Sequence, residues 1–255
     1  MATFLSANLD DSILDIPDLD LPIYRIFPRI YFLDLLKSKQ NVLVRPRLWD
    51  DPFENFFLKC MTETDKGENV SLEPIREKWY GQCWTKKRDT DAMWRIYSHN
   101  KDGIRVQSTP RKLIMSLRNT VRLADRGVKC FIGTVEYKKK DAIEAWLEGS
   151  VLENVVLNNG RAARTLLVKR EEFEHENEVR ILYQDIWHTN HETIFKYDFD
   201  FESVIDEVAT DPRSGVDEPK MLEWYLKSFN ISTPVVRSPL YEGVRPIKIR
   251  SSIKG

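Results

Sequence analysis

Cysteine is scarce in this chain of 255 residues: Cys60, Cys83 and Cys130 are widely separated and form no CxxC pair. That excludes a disulfide framework, argues against a clustered zinc site, and fits a reduced, cytoplasmic setting. Histidine is as sparse. His188 and His191 fall in an expected turn while His99 and His175 stand apart, so no metal centre is expected. Long apolar runs are missing too. None approaches the roughly 18 residues of a membrane span, and no basic region precedes an apolar segment at the N-terminus. Neither a membrane partner nor secretion is expected. An excess of one charge is also absent, since 39 basic and 40 acidic side chains leave a net charge of −1. A dedicated duplex-DNA binder carries a basic excess or stripe, whereas "KKR" (86–88) and "KKK" (138–140) read as solvated faces. No P-loop, GxGxxG, HExxH, GxSxG or EF-hand loop is present.

What the chain does have is core material. Its residues are 42% hydrophobic, with seven Trp, twelve Phe and nine Tyr, enough for a packed interior. Residues 1–22 form an acidic arm with five aspartates and no Lys or Arg, residues 23–243 a single domain, and residues 244–255 a basic tail. Alternating β-formers predict strands at 23–27, 41–46, 81–85, 103–108 and 130–137, at the "VRILY" run (179–183), at 193–200 as its hairpin partner, and at 204–211 and 233–241. Helical spacing predicts helices at 28–39, 89–100, 111–127 (closed by Gly127), 141–149, 161–174 and 217–229. Helices and strands are interspersed and several strand pairs look like hairpins. The expected fold is therefore α+β (mixed α/β), with a mixed or largely antiparallel sheet flanked by helices.

Four segments carry the candidate chemistry. In "IYRIF" (23–27) Arg25 stands alone among apolar residues. Burying an unpaired charge costs several kcal/mol, so Arg25 needs either a protein carboxylate or a ligand phosphate or carboxylate. "PRLWDDPFEN" (46–55) reads as a turn with apolar or stacking surface from Trp49 and Phe53. "YGQCWTKKRDTDAMWRIYSHNKDG" (80–103) offers the Thr85 hydroxyl and the Trp84, Met93, Trp94 and Tyr97 side chains, which suit either a pocket floor or a core-facing helix. Cys83 reads as a small buried thiol, since nothing beside it supplies a base. In "FEHENEVRILY" (173–183), Glu176, Glu178 and Arg180 alternate with Val179, Ile181 and Tyr183. On an extended strand alternate residues share a face about 6.5–7 Å apart. Two carboxylates and a cation on one face imply a sheet edge or a cleft.

Taken in order, these segments resemble the bacterial and phage-associated family catalogued as domain of unknown function 2971. The resemblance rests on Tyr24-Arg25, "DDPFE", "CWT…MWRIYSHNKDG", and Lys169, Phe173, Glu176, Glu178 and Arg180. Thr85 stands where serine is common in that pattern, and Asp50 where asparagine is. The order of elements is also similar to ADP-ribosyltransferase-like domains, in kind rather than in detail. That likeness implies NAD as the substrate cofactor, a nucleotide ligand, and a protein or nucleic-acid acceptor, with a toxin or phage-defence role. It implies Glu178 and Glu176 as catalytic, and Arg25, Thr85, Trp94, Tyr97 and Arg180 as cofactor-binding. Two rivals stay open: a non-catalytic binding module in a defence or regulatory complex, and a nucleic-acid enzyme holding Mg²⁺ on Asp50, Asp51, Glu176 and Glu178.

Overall fold

A computed structural model describes residues 9–49, 51, 61–63, 69–71, 76–121, 129–148, 159–187 and 189–243. In chain order these form β1 (Ile13–Leu14), β2 (Ile23–Phe27), α1 (Arg29–Ser38), β3 (Gln40–Val44), β4 (Met61–Glu63), β5 (Asn69–Ser71) and β6 (Trp79–Thr85). Then come α2 (Asp91–Tyr97), β7 (Ile104–Ser108), α3 (Pro110–Thr120), β8 (Cys130–Thr134), β9 (Glu136–Lys138), α4 (Lys140–Glu148) and α5 (Asn159–Thr165). The chain continues through β10 (Val168–Arg170), β11 (Glu178–Gln184), β12 (Ile194–Asp198), α6 (Phe201–Val204), β13 (Glu207–Thr210), α7 (Glu218–Ser228) and β14 (Val235–Arg237). No described helix is long and apolar enough to cross a membrane.

One large sheet organises the molecule in the order β1-β8-β11-β6-β2-β7-β13-β14. Its pairings are antiparallel except β1 with β8 and β13 with β14. This is the mixed, largely antiparallel sheet that the interspersed pattern predicts. The β1 pairing seats the second half of the acidic arm against β8, with Leu14 and Ile16 buried.

Period-two alternation sorts the side chains of β11 between two cores. Val179, Ile181 and Tyr183 join the apolar faces of α1, α3 and α7, while Leu182 packs with Trp79, Phe131 and the side chains of α5. Every residue of β11 is buried. The strand is central, so the alternative of a cleft replaces that of a sheet edge.

β6 forks, and the fork shapes the site. Near its end β6 pairs with β2 (Thr85 with Tyr24), and further back it pairs with β3 (Gly81 with Val44). Between these points the Arg25 guanidinium donates to the Cys83 carbonyl. At the β3 branch, Gly81 leaves room for Trp49: a Cβ there would meet the indole at 2.8 Å. The ring can therefore lie over Arg180, 4.3 Å from the guanidinium.

Three sequence expectations change. The helix expected over 161–174 ends at Thr165, and the chain then makes β10 and a 3₁₀ turn, Glu171–Glu176. Glu176 therefore precedes the strand, separated from it by Asn177 in the left-handed region at φ 45°, a conformation asparagine tolerates. The 193–200 segment pairs with β3 rather than with β11. Gly127, Asp50, Phe53, Glu54 and Asn55 lie outside the described residues.

Candidate functional site

The site is assembled by register. β11 lies against β6 with Glu178 opposite Thr85 and Arg180 opposite Cys83. Directly opposed residues share a face, so the acidic strand start faces the end of β6, where β2 brings in Arg25. The left-handed turn at Asn177 folds Glu176 back toward Glu178. Lys169 of β10 fixes the two carboxylates. Its Nζ lies 2.6 Å from Glu176 Oε2 and 2.7 Å from Glu178 Oε1. The second oxygen of Glu178 takes the Arg180 Nε–H at 2.7 Å, and Arg180 also donates to the Leu166 carbonyl at 2.8 Å. Glu176, Glu178, Lys169 and Arg180 are all buried.

Glu176 and Glu178 form one wall of a small cavity of about 50 Å³, closed by Tyr24, Arg25, Ile26, Cys83, Thr85 and Tyr97 among others. That volume takes a water or two. Across Arg25 lies a larger cleft of about 420 Å³ between the diverging strands β2 and β3, lined by Phe27, Tyr31, Gln40, Val42 and Lys196. Arg25 borders both spaces. Among the described residues it makes no ion pair: it donates to the Cys83 carbonyl, stacks 5.0 Å from the Phe27 ring, and leaves Nε without a partner. A wider depression of about 770 Å³ is lined by Lys39, Lys112, Asp198 and Asp200, with both aspartates exposed to solvent.

The two carboxylates differ sharply. Burial, then hydrogen bonding to Glu178 and its negative charge, push Glu176 up to about 8, against the pull of Lys169. Burial also opposes ionisation of Glu178. There, however, the charge of Arg180, the hydrogen bonds from Glu176 and Arg180, and Lys169 hold it well below the usual carboxylate range. One group is thus a fixed anion and the other can hold a proton near neutrality, the division of labour used in general acid–base catalysis. Burial and the charge of Glu176 raise Tyr97, so its phenol stays protonated. Burial lowers Arg25 from its ordinary value, opposed by Cys83, Tyr97 and Glu178.

The structure brings Arg25, Thr85, Tyr97, Glu176 and Glu178 to one cavity, with Arg180 directly behind Glu178. It does not bring Trp94. That indole is 1% exposed and donates to Asp89 at 2.9 Å, while Trp84 and Met93 line the cavity. The Thr85 hydroxyl is already engaged: it donates to the Glu176 carbonyl at 2.5 Å and accepts the Lys87 N–H at 3.0 Å. Asp51 pairs with Arg170 at 2.8 Å. Sequence reasoning placed Lys169 in a pattern without assigning it a role. The missed signal is that a lone lysine in the β-rich run "VKR" needs an anion if it is buried.

The chain is similar to one family model over part of its length and distantly similar to solved structures. The model of a family described as "Protein of unknown function (DUF2971)" matches residues 93–181, the stretch that holds Tyr97, Lys169, Glu176, Glu178 and Arg180. No curated protein matches the chain. Among solved structures, Thermus sp. 2.9 DarT in complex with NAD+ is similar at TM-score 0.40 and 11% identity, over 87% of this chain and 96% of that one. The same DarT in complex with ADP-ribosylated ssDNA gives TM-score 0.40 and 10% identity, over 88% and 96%.

Proposed function

We propose that the protein is an ADP-ribosyltransferase-like enzyme that consumes NAD at the Glu176/Glu178 cavity. One observation carries the reading. An arginine with no carboxylate partner among the described residues and a buried acidic pair about 150 positions away line the same cavity. A structural network would pair Arg25 with a carboxylate of its own. A diphosphate would supply that anion instead, gripped by the guanidinium.

The chemistry then follows from charge. Breaking the bond between ribose C1′ and the nicotinamide nitrogen sends the bonding pair to the pyridinium ring and leaves oxocarbenium character on the sugar, as in glycoside cleavage. Glu178, held anionic, stabilises that developing cation through a ribose hydroxyl. The acceptor's O–H or N–H gives its proton to Glu176 while its lone pair closes the new bond to C1′. Arg25 holds the diphosphate at the junction of the two spaces, and the rest of the nucleotide lies in the cleft beside Phe27 and Tyr31. The nicotinamide ring exceeds the present cavity. Tyr97, 39% exposed at its mouth, is the side chain that has to move to admit it. The acceptor is a protein or a nucleic acid.

The test is release of nicotinamide from NAD by wild type and Glu178→Gln, with folding checked by thermal melting. Release by wild type alone supports the reading, and equal release by both rejects Glu178. A magnesium-dependent site is disfavoured because the Lys169 ammonium already stands between the carboxylates that an ion would bridge. NAD binding without turnover by wild type would instead support a binding module.

A further inference from the structure

Lys169 has no role in the chemistry so far, yet it contacts both candidate carboxylates, at 2.6 and 2.7 Å. It sits on β10, which pairs with β9 in a two-stranded unit apart from the main sheet. The glutamates come from either side of the left-handed turn at Asn177, so neither is rigidly fixed to the other by backbone ladder alone. Lys169 ties the two units together at the reacting end.

The charge count shows why this matters. Two buried carboxylates face two buried cations, Lys169 and Arg180. Among the described residues Arg180 pairs with Glu178, whereas Lys169 touches one oxygen of each. An ammonium is a compact point charge with several donors, suited to two carboxylates converging from different elements. The Phe173 ring, 4.6 Å from Nζ, covers another side of the ammonium. The remaining titratable or charged groups facing the pair, among the described residues, are Tyr137 of β9, Tyr97 of α2, Cys83 of β6 and Arg25 of β2. Of these only Arg25 is cationic, and it makes no ion pair with either carboxylate.

We propose that Lys169 is a positioning residue for the acidic pair. It holds Glu176 and Glu178 at one fixed separation, keeps Glu178 anionic, and leaves Glu176 an oxygen with which to take the acceptor's proton. This rests on the transferase reading for its kinetic consequence, but not for its electrostatic one. Without the ammonium, one cation faces two anions and the pair holds a proton more tightly.

The experiment uses the full chain with Lys169→Met, and Lys169→Gln as the same arm should the first fail to fold. Turnover of NAD should fall about 100-fold in kcat, with KM for NAD changed by less than about threefold. The rising limb of the rate–pH profile should move to higher pH. Lys169→Met and Glu176→Gln should be strongly non-additive, because both act through one pair. A second readout needs no activity: ¹³C NMR of protein labelled at glutamate Cδ, the two signals assigned with Glu176→Gln and Glu178→Gln. Wild type should show one carboxyl titrating high and one low, and Lys169→Met should push the high one further up. If wild type does not turn over NAD, the transferase reading falls while the NMR titration still judges Lys169. Unchanged kcat with an unchanged pH limb, or unchanged carboxyl titrations in a folded variant, overturns the positioning role.

Discussion

Arg25 and Arg105 look alike in sequence, each a lone guanidinium inside an apolar strand, yet the fold treats them differently. Their strands are neighbours, and the register puts Arg105 opposite Ile26 and Val106 opposite Arg25, so the two side chains leave opposite faces of the sheet. Arg105 is 1% exposed and gripped by two carboxylates, Asp89 at 2.6 Å and Glu207 at 2.7 Å, with the Tyr24 ring 5.3 Å away. Asp89 also receives Trp94 and Ser238 at 2.9 Å each. Both terminal nitrogens of Arg105 are thus matched to carboxylates, although its Nε, like that of Arg25, has no partner among the described residues. Arg25 borders open space on two sides and, among the described residues, has only a carbonyl and a ring. A buried cation with its own carboxylates holds a fold together. One without them, next to a cavity, is available to a ligand.

Mutations can break this contrast. Arg105→Met should cost the most stability, about 3–5 kcal/mol, because it strands Asp89 and Glu207; urea melts would show it, and a loss below 1 kcal/mol would contradict a structural role. Glu178→Gln should lower NAD turnover by about 10²–10³-fold, or roughly 3–4 kcal/mol of transition-state stabilisation. It should also lower the melting temperature, since Lys169 and Arg180 lose their shared anion. Arg25→Met should do the reverse of Arg105→Met. Stability should change by about 1 kcal/mol or less, while NAD binding by calorimetry weakens by about tenfold or more. Equal loss of stability in the two arginine variants would erase the distinction.

A further effect is on pH dependence. Glu176 is raised in the folded state to about 8 from an ordinary 4.5, so the folded protein holds a proton that the unfolded chain releases. Its contribution to stability is complete below about 4.5 and is lost as pH rises through 8. Glu178 is shifted down, so its contribution is complete above its ordinary value and is lost as pH falls through the depressed one. Wild type should thus lose on the order of 1–3 kcal/mol between pH 5 and pH 9 relative to Glu176→Gln. Parallel melting curves across that range would show that Glu176 is not raised.

Much of this architecture was legible because burial follows period. "IYRIF", "GIRVQS" and "VRILY" each became a sheet strand. The run 161–174 reads as one helix in sequence because its apolar residues suit either period. β10 is buried by packing against β9 and α4, a tertiary effect no local pattern reveals. The partner of β12 was misjudged for a related reason: short connections favour hairpins, but this strand returns to β3. In the site, the convergence of Arg25 with Glu178 followed from chemistry, since both needed partners. Trp94 could not be told from a pocket residue, because only the side chain opposite it, Asp89, shows that it belongs to the satisfied cluster. The role of Lys169 was invisible for the same cause, its two anions being seven and nine positions away across a turn.

The most direct measurement is incubation of cell extract with NAD labelled on the adenylate phosphate, comparing wild type with Glu178→Gln and Arg25→Met. The account predicts a labelled macromolecule with wild type, none with Glu178→Gln, and reduced labelling with Arg25→Met that recovers at higher NAD. Labelling of equal strength by all three proteins, or by none of them, would contradict it.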